Sequence, residues 1–246
     1  MKKTMLDFSS LAESLKAILW PQRCIFCSEL IFWNKEKTCD RCKNSLPYVT
    51  GKICKKCGCS KDNCSCTSNI LYYDSAAAPF YYEDSVKKAL TGMKFSQRKE
   101  YAEAFSEYML KTLSERYKDE KFDVILCVPL HKKDRRKRGY NQSELLSRYI
   151  SEKSGIPYKD NVLEKIYRTK MQMSQKGIER SGNLLGAFSV RNGADLEDKS
   201  ILLIDDIKTT GATVSECGKM LYLAGAKEVC VLSCAVTRKR NKDRER

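Results

Sequence analysis

The chain has 246 residues, of which 46 are Lys or Arg and 31 are Asp or Glu, so its formal net charge is +15. This length suits one domain of ordinary size plus a smaller one, and the sequence lacks the run of about eighteen apolar residues that a membrane-spanning helix needs. The strong positive charge indicates an acidic partner, with nucleic acid as the first candidate and a phosphorylated small molecule as the second.

Residues 1–20 are predicted to form an amphipathic helix, because Leu11, Leu15, Ile18 and Leu19 recur at helical spacing. This segment has neither a long apolar core nor a small-residue cleavage site, so it is a poor match to a signal peptide. We therefore expect a cytoplasmic protein in which closely spaced cysteines bind metal and do not form disulfides.

Residues 21–70 are predicted to form a double zinc ribbon, because eight of the nine cysteines there occur in four close pairs. The expected ligands are Cys24, Cys27, Cys39 and Cys42 at the first site, and Cys54, Cys57, Cys64 and Cys66 at the second. Four thiolates leave no open position on zinc, so both sites are expected to be structural and to supply folding free energy. Redox dithiols and iron–sulfur ligation are the alternatives, and Cys59 is a spare thiol that could replace a neighbour.

Aromatic and basic residues interleave with these cysteines. Phe26, Phe32 and Trp33 accompany the first predicted site. Four lysines surround the second site: Lys52, Lys55, Lys56 and Lys61. Stacking rings beside cations suit contact with single-stranded nucleic acid. The alternative is that the aromatic rings only cover the metals.

Residues 71–237 are predicted to form a doubly wound parallel α/β sheet, since apolar strands alternate with helices. We expect an extended pair, residues 71–73 and 80–82, on either side of a small-residue patch, and further strands over 122–128, 162–166 and 229–236. Helices are expected over 84–93, 99–117 and 143–153. A mobile loop is predicted over 168–182 and a basic, disordered tail over 238–246. Ligands of such sheets bind at the carboxyl ends of the strands, where Pro129, Arg168 and Asp205 are expected.

Residues 201–204 predict a buried strand, with Asp205 and Asp206 at its end and a helix over 214–224. The turn between them consists of Thr209, Thr210, Gly211, Ala212 and Thr213. Backbone N–H groups at a helix start bind anions, and two acceptor carboxylates beside them suit a sugar phosphate. The alternative is an ordinary strand, turn and helix, with Thr213 as the N-cap.

This string of residues resembles the phosphoribosyl pyrophosphate motif of type I phosphoribosyltransferases. The resemblance implies that Asp205 and Asp206 contact the ribose hydroxyls and that residues 209–213 hold the 5′-phosphate. It also implies a Mg²⁺ ion that bridges the pyrophosphate and ribose of the ligand.

With the cysteine-rich segment in front, and with the segments 128–131, 138–142 and 180–188, the chain resembles the ComF family of competence proteins over about residues 21–236. The family joins a double zinc ribbon to a phosphoribosyltransferase domain. By position, the resemblance implies pyrophosphate contacts from Pro129, Leu130, His131, Arg138, Asn141, Gln142 and Arg168. Our alternative for His131 is an ordinary surface residue at a turn.

The resemblance also implies a role in natural transformation, acting on incoming single-stranded DNA. Three functions stay open: a DNA-handling factor with a phosphoribosyl pyrophosphate pocket, an active phosphoribosyltransferase of unknown acceptor, and a zinc-stabilised scaffold for another competence protein such as a helicase. We assign no catalytic residue, because the sequence offers no identifiable base or acceptor-binding group.

Overall fold

The computed structural model describes residues 21–31, 37–64, 66, 70–95, 98–167 and 186–238. The predicted N-terminal helix, the predicted loop over residues 168–182 and all of the tail beyond residue 238 lie outside these ranges. The chain divides into two compact units, Met1–Leu46 and Pro47–Arg246. No helix within the described ranges is long and apolar enough to cross a membrane.

The first unit contains the first cysteine cluster on tight turns. An antiparallel bridge joins Arg23 to Leu30, and the N–H of Ser28 donates to the carbonyl of Cys24 at 2.8 Å to close the turn between them. Helix α1, Asp40–Ser45, begins directly after Cys39. Each predicted ligand pair of this cluster therefore lies on a turn that brings two thiols together.

The second unit is built on a five-stranded sheet in which every pairing is parallel. Its strands are β1, Ser75–Ala77; β2, Phe80–Tyr81; β3, Val124–Cys127; β6, Ser200–Lys208; and β7, Glu228–Val236. The order across the sheet is β1-β7-β6-β3, and β2 also pairs with β7. In the register, Ile125 pairs with Leu202, and Ile204 pairs with Leu232. The predicted parallel α/β architecture is confirmed.

Helices cover both faces of this sheet. The helices of this unit are α2, Asp84–Phe95; α3, Tyr101–Arg116; α4, Lys132–Arg138; α5, Gln142–Ser154; and α6, Ala212–Leu223. Leu203 and Val231 belong to one buried cluster with Val214 and Leu221 of α6. Because side chains alternate along a strand, Cys234 of β7 points to the other face, where its sulfur lies 3.4 Å from that of Met109 in α3. The strands are buried on both faces, which explains their continuous apolar sequences.

Two predicted strands take different positions from those we expected. The segment over 162–166 is not part of the parallel sheet: β4, Leu163–Lys165, pairs antiparallel with β5, Phe188–Val190, in a separate two-stranded sheet. Of the expected extended pair, only residues 80–82 contain a strand, β2; residues 71–73 are not a strand, and β1 instead forms from the small-residue patch at Ser75–Ala77. Both β1 and β2 pair with β7. In both cases a distant partner strand decided the pairing, and local sequence carries little information about that choice.

The second cysteine cluster and the sheet lie in the same compact unit, and that unit begins at Pro47. The predicted domain boundary after residue 70 stays a prediction; the two compact units meet between Leu46 and Pro47. A short 3₁₀ turn, Lys61–Asn63, separates the two ligand pairs of this cluster.

Candidate functional site

The two adjacent acids lie within a strand. We expected the strand to end before them, but β6 continues to Lys208, and its ladder with β7 pairs Asp205 with Ser233 and Lys208 with Val236. The expectation was wrong because parallel pairing with β7 stabilises an extended backbone even where the side chains are polar. The acids remain at the carboxyl edge of the sheet, where ligands of such folds bind.

The two carboxylates have different partners. Asp205 is buried, and its Oδ1 accepts hydrogen bonds from the N–H of Asp206 at 2.9 Å and from Oγ of Ser143 at 3.4 Å. Asp206 is more exposed and forms a 2.7 Å ion pair with Nζ of Lys94, at the end of α2. Ser143 is in the first turn of α5. The acids therefore connect the sheet edge to two helices.

Burial and charge set the protonation of this pair. Burial, followed by the negative charge of Asp206, raises the pKa of Asp205 to about 7, while Lys94 and the hydrogen bonds oppose the rise. For Lys94, burial lowers the pKa, but the charges of Asp206 and Asp205 outweigh burial and raise it. A buried acid of this kind gains most from a ligand that donates hydrogen bonds or brings positive charge.

The predicted phosphate turn leads directly from β6 into α6. Gly211 is the N-cap, with φ of 82°, and the helix begins at Ala212. The alternative in which Thr213 caps the helix is wrong, because Thr213 lies inside the first helical turn. The N–H of Ala212 donates to Oγ1 of Thr210 at 3.3 Å. The first turn of a helix presents backbone N–H groups that lack intrahelical acceptors, so this turn can hold an anion beside the acids.

The turn after β3 lies at the same edge of the sheet. Pro129 and Leu130 follow the strand, and His131 is the N-cap of α4, where its Nδ1 accepts from the N–H of Lys133 at 3.2 Å. The basic run that follows is thus helical, and it ends at Gly139 with φ of 80°.

One predicted pyrophosphate contact, Asn141, holds this turn in place, and another, Gln142, contacts the end of α4. Asn141 is buried: its Oδ1 caps α5 by accepting from the N–H of Ser143, and its Nδ2 donates to the carbonyl of Val128 at 3.0 Å. Gln142 is also buried and accepts from Arg138 at 3.4 Å. Their roles toward a ligand stay predictions. Arg168 lies outside the described residues.

Three residues near the acids were missed from the sequence. Lys94 and Ser143 contact Asp206 and Asp205, and the hydroxyl of Tyr140 donates to the carbonyl of Met93, beside Lys94. The only local signal was the position of Lys94 at the end of an amphipathic helix. These pairs join distant parts of the chain, so no spacing rule could have identified them.

Both predicted zinc sites are supported by geometry. In each set of four cysteines all Sγ atoms lie within 4.8 Å of one another. The distances of 3.6 Å for Cys27–Cys39 and 3.7 Å for Cys57–Cys64 are close to the edge of a ZnS₄ tetrahedron, which is about 3.8 Å for Zn–S bonds of about 2.3 Å. Cys59 is not in the second set; its Sγ lies 3.7 Å from the carbonyl of Thr237. These residues fit two structural zinc ions.

Comparison with known proteins agrees with this geometry. The double zinc ribbon domain family matches residues 15–69. Competence protein ComFC of Bacillus subtilis is 30% identical over 203 residues, covering 77% of this chain and 80% of that protein. Competence protein ComFC of Streptococcus pneumoniae is 33% identical over 218 residues, covering 85% of this chain and 92% of that protein.

Among solved structures, glutamine phosphoribosylpyrophosphate amidotransferase from Bacillus subtilis is similar at 26% identity with a TM-score of 0.33, covering 51% of this chain and 26% of that one. That score is too low to support a conclusion. The strand order and the two cysteine sets define a zinc-ribbon protein with a parallel α/β domain. The chain belongs to the ComF family of competence proteins.

Proposed function

We propose that this protein binds phosphoribosyl pyrophosphate at the carboxyl edge of its sheet and acts on single-stranded DNA in natural transformation. The observation that carries the ligand proposal is the continuous path from buried Asp205 through Asp206 to the helix start at Gly211, all at one edge of the sheet. The relatives named as competence proteins support the biological role.

Each part of the ligand has a matching group. In their ionised forms, Asp205 and Asp206 accept hydrogen bonds from the ribose hydroxyls, since ionised carboxylates are acceptors only. A cation bound beside them favours the ionised form of Asp205. The N–H groups of the Thr209–Thr213 turn hold the 5′-phosphate. The turn from Pro129 to His131, with Arg138 behind it, faces the pyrophosphate, for which the guanidinium fork is well suited.

Magnesium also fits this site. The carboxylates of Asp205 and Asp206 are the hard oxygen ligands that Mg²⁺ accepts, usually one or two at a time with phosphate oxygens of the substrate. Bound there, Mg²⁺ neutralises the charge of the pyrophosphate. The ammonium of Lys94 already forms an ion pair with Asp206. When the cation binds, we expect Lys94 either to share Asp206 with it or to turn toward the phosphates.

The ligand proposal is tested by calorimetry with phosphoribosyl pyrophosphate and Mg²⁺. Because a hydrogen bond to a charged group contributes about 1.5–3 kcal/mol, the double variant Asp205→Asn, Asp206→Asn should weaken binding by at least about tenfold. Asp119→Asn removes an exposed carboxylate and is the control. Unchanged binding in the double variant would refute the assignment.

Turnover is a separate question for the same protein. Release of pyrophosphate on addition of candidate acceptors identifies an active phosphoribosyltransferase. Binding without release identifies a ligand pocket that regulates another activity.

The candidate DNA surface is helix α4, which follows the pyrophosphate turn directly. Arg135 forms an ion pair with Glu144 at 2.9 Å, whereas the other exposed cations of this helix have no ion pair among the described residues: Lys132, Lys133, Arg136 and Lys137. Phe26 of the first ribbon is buried, which favours a role in covering the metal over base stacking. Phe32 and Trp33 lie outside the described residues.

Binding of single-stranded DNA should therefore depend on salt through α4. Each neutralised phosphate contributes about 0.7 to the log–log slope on single strands, so Lys133→Gln with Arg136→Gln should reduce the slope by about 1.4. Lys153→Gln, an exposed site on α5, should leave it unchanged. A slope near zero in the unmodified protein would leave the scaffold for other competence proteins as the better function.

A further inference from the structure

The turn between Cys54 and Cys57 offers three successive carbonyls to the sheet domain. The carbonyl of Lys55 accepts from the N–H of Ala76 in β1 at 2.7 Å. The carbonyl of Lys56 accepts from the hydroxyl of Tyr73 at 2.9 Å. The carbonyl of Cys57 accepts from Nζ of Lys208 at 3.1 Å. A turn that holds two metal ligands thus also accepts hydrogen bonds from the segment of β1 and, through Lys208, from the strand that carries the acids.

Two of those donors lie directly beneath the phosphate turn. Tyr73 and Lys208 are buried, and Nζ of Lys208 lies 5.8 Å from the centre of the Tyr73 ring. A Cβ added to Gly211 would lie 3.0 Å from Oη of Tyr73 and 3.3 Å from Cε of Lys208. The backbone of the turn therefore packs closely against these two side chains, and a Cβ at Gly211 would require them to shift by a few tenths of an ångström.

The cysteine turn itself fits closely against the sheet. Gly58 has φ of 77°, and a Cβ there would lie 3.0 Å from the carbonyl of Ala76. The N–H of Gly58 donates to the carbonyl of Cys54 at 2.9 Å. Such turns take their shape from the metal that holds their thiolates, so the positions of the three carbonyls depend on metal at the second site.

We propose that metal binding at the second cysteine cluster positions the phosphate turn through Tyr73 and Lys208, so that zinc there and the sugar phosphate at Thr209–Thr213 bind cooperatively. Tyr73 and Lys208 are positioning residues: they act on the ligand through the backbone of the turn. The cooperativity between zinc and the sugar phosphate rests on the proposed function of the turn. The positioning of the turn by zinc does not depend on that function. Linkage is reciprocal, so the ligand must strengthen zinc binding by the factor by which zinc strengthens ligand binding.

The first test measures the turn without any ligand. In the zinc-loaded full chain, hydrogen exchange of the amides of residues 208–215 should become at least tenfold faster in Cys64→Ser, which removes one ligand of the second cluster. Cys39→Ser removes one ligand of the first cluster, which belongs to the other compact unit, and should leave these amides unchanged. Equal exchange in both variants overturns the proposal.

Variants that keep all cysteines distinguish loss of the link between the zinc site and the turn from misfolding of the zinc site. Tyr73→Phe removes only the hydroxyl that donates to the carbonyl of Lys56, and Lys208→Met keeps most of the side-chain length but removes the ammonium. Both should retain two zinc ions, release the second several-fold faster to a chelator, and speed exchange in residues 208–215. Lys227→Met, at an exposed lysine, is the control. Zinc release at the unmodified rate would contradict the inferred link.

The last test adds phosphoribosyl pyrophosphate with Mg²⁺. Ligand should slow release of the second zinc several-fold and leave release of the first unchanged, and Lys208→Met should reduce that effect. An unmodified protein that shows no binding by calorimetry refutes the proposed function, while the exchange measurements still decide the structural link. Ligand that binds without slowing zinc release refutes the cooperativity.

Discussion

The two cysteine clusters have nearly the same composition and different structural settings. Each brings four thiols within 4.8 Å of one another. The first lies in the unit Met1–Leu46, and its turns are closed by hydrogen bonds within the cluster. The second lies in the unit with the sheet, and its carbonyls accept hydrogen bonds from Tyr73, Ala76 and Lys208. Similar ligand spacing therefore predicts a similar metal site, but the surroundings decide what the metal stabilises.

The largest expected difference is in thermal stability. Cys57→Ser should lower the melting midpoint of the sheet domain by more than about 10 °C, because loss of a structural zinc ligand removes several kcal/mol and each kcal/mol shifts a domain of this size by about 2–4 °C. Cys42→Ser should shift that midpoint by less than about 2 °C. Scanning calorimetry of the zinc-loaded variants measures both. Equal shifts would remove the distinction between the clusters.

A smaller effect is expected from a single added methyl group. Gly211→Ala places a Cβ against Tyr73 and Lys208, whereas Gly193→Ala meets nothing within 4 Å, although both glycines have positive φ, 82° and 81°. The shared backbone strain should cost each variant about 1 kcal/mol. Only Gly211→Ala should also weaken sugar-phosphate binding, by about tenfold, in calorimetry. Equal affinities would show that the packing beneath the turn is unimportant.

Asp205 and Asp206 are held by residues of α2 and α5. A substitution in α2 can therefore change the environment of these acids without changing the cysteine clusters. Lys94→Met removes a charge that lowers the pKa of Asp205, and that pKa should rise further above its present value of about 7. Carbon-13 NMR of the carboxylates would measure the change. Two zinc ions should remain bound, and Lys153→Met should leave the titration unaltered.

The same variant changes how stability depends on pH. The pKa of Asp205 is raised in the folded state, so protonation of this acid stabilises the fold. The stabilisation is complete below about pH 4, the pKa of Asp in the unfolded chain. It is lost as the pH rises through about 7, the pKa in the folded state. Lys94→Met should extend the loss to higher pH. Urea titrations between pH 4 and 8 test this, and a curve identical to that of the unmodified protein would contradict the assignment.

The smallest effect is expected at the spare thiol. Cys59 is buried beside the carbonyl of Thr237 and outside the second set of ligands. Cys59→Ala should therefore keep two zinc ions and destabilise the domain by no more than about 1 kcal/mol, since one sulfur atom is removed from a packed site. Zinc content by mass spectrometry under native conditions checks the number of ions. Loss of one zinc would make Cys59 a ligand.

Features that depend on neighbouring residues could be predicted from the sequence. The cysteine pairs predicted two sets of four thiols, because tight turns bring close neighbours together whatever the rest of the chain does. The apolar run before Asp205 predicted a buried parallel strand, and Gly211 with the hydroxyl residues predicted a helix start. Alternation of strands and helices was sufficient for the parallel α/β class.

Only the tertiary structure showed that Lys94 reaches Asp206, that Asn141 caps a helix and holds Val128, and that β6 continues through the acids. It also showed that the Cys54–Cys57 turn supports Lys208, more than a hundred residues away along the chain. Such contacts depend on which strands pair and which helix ends meet at one edge of the sheet. Their free energy comes from burial and packing between distant segments, and these leave no periodicity in the local sequence.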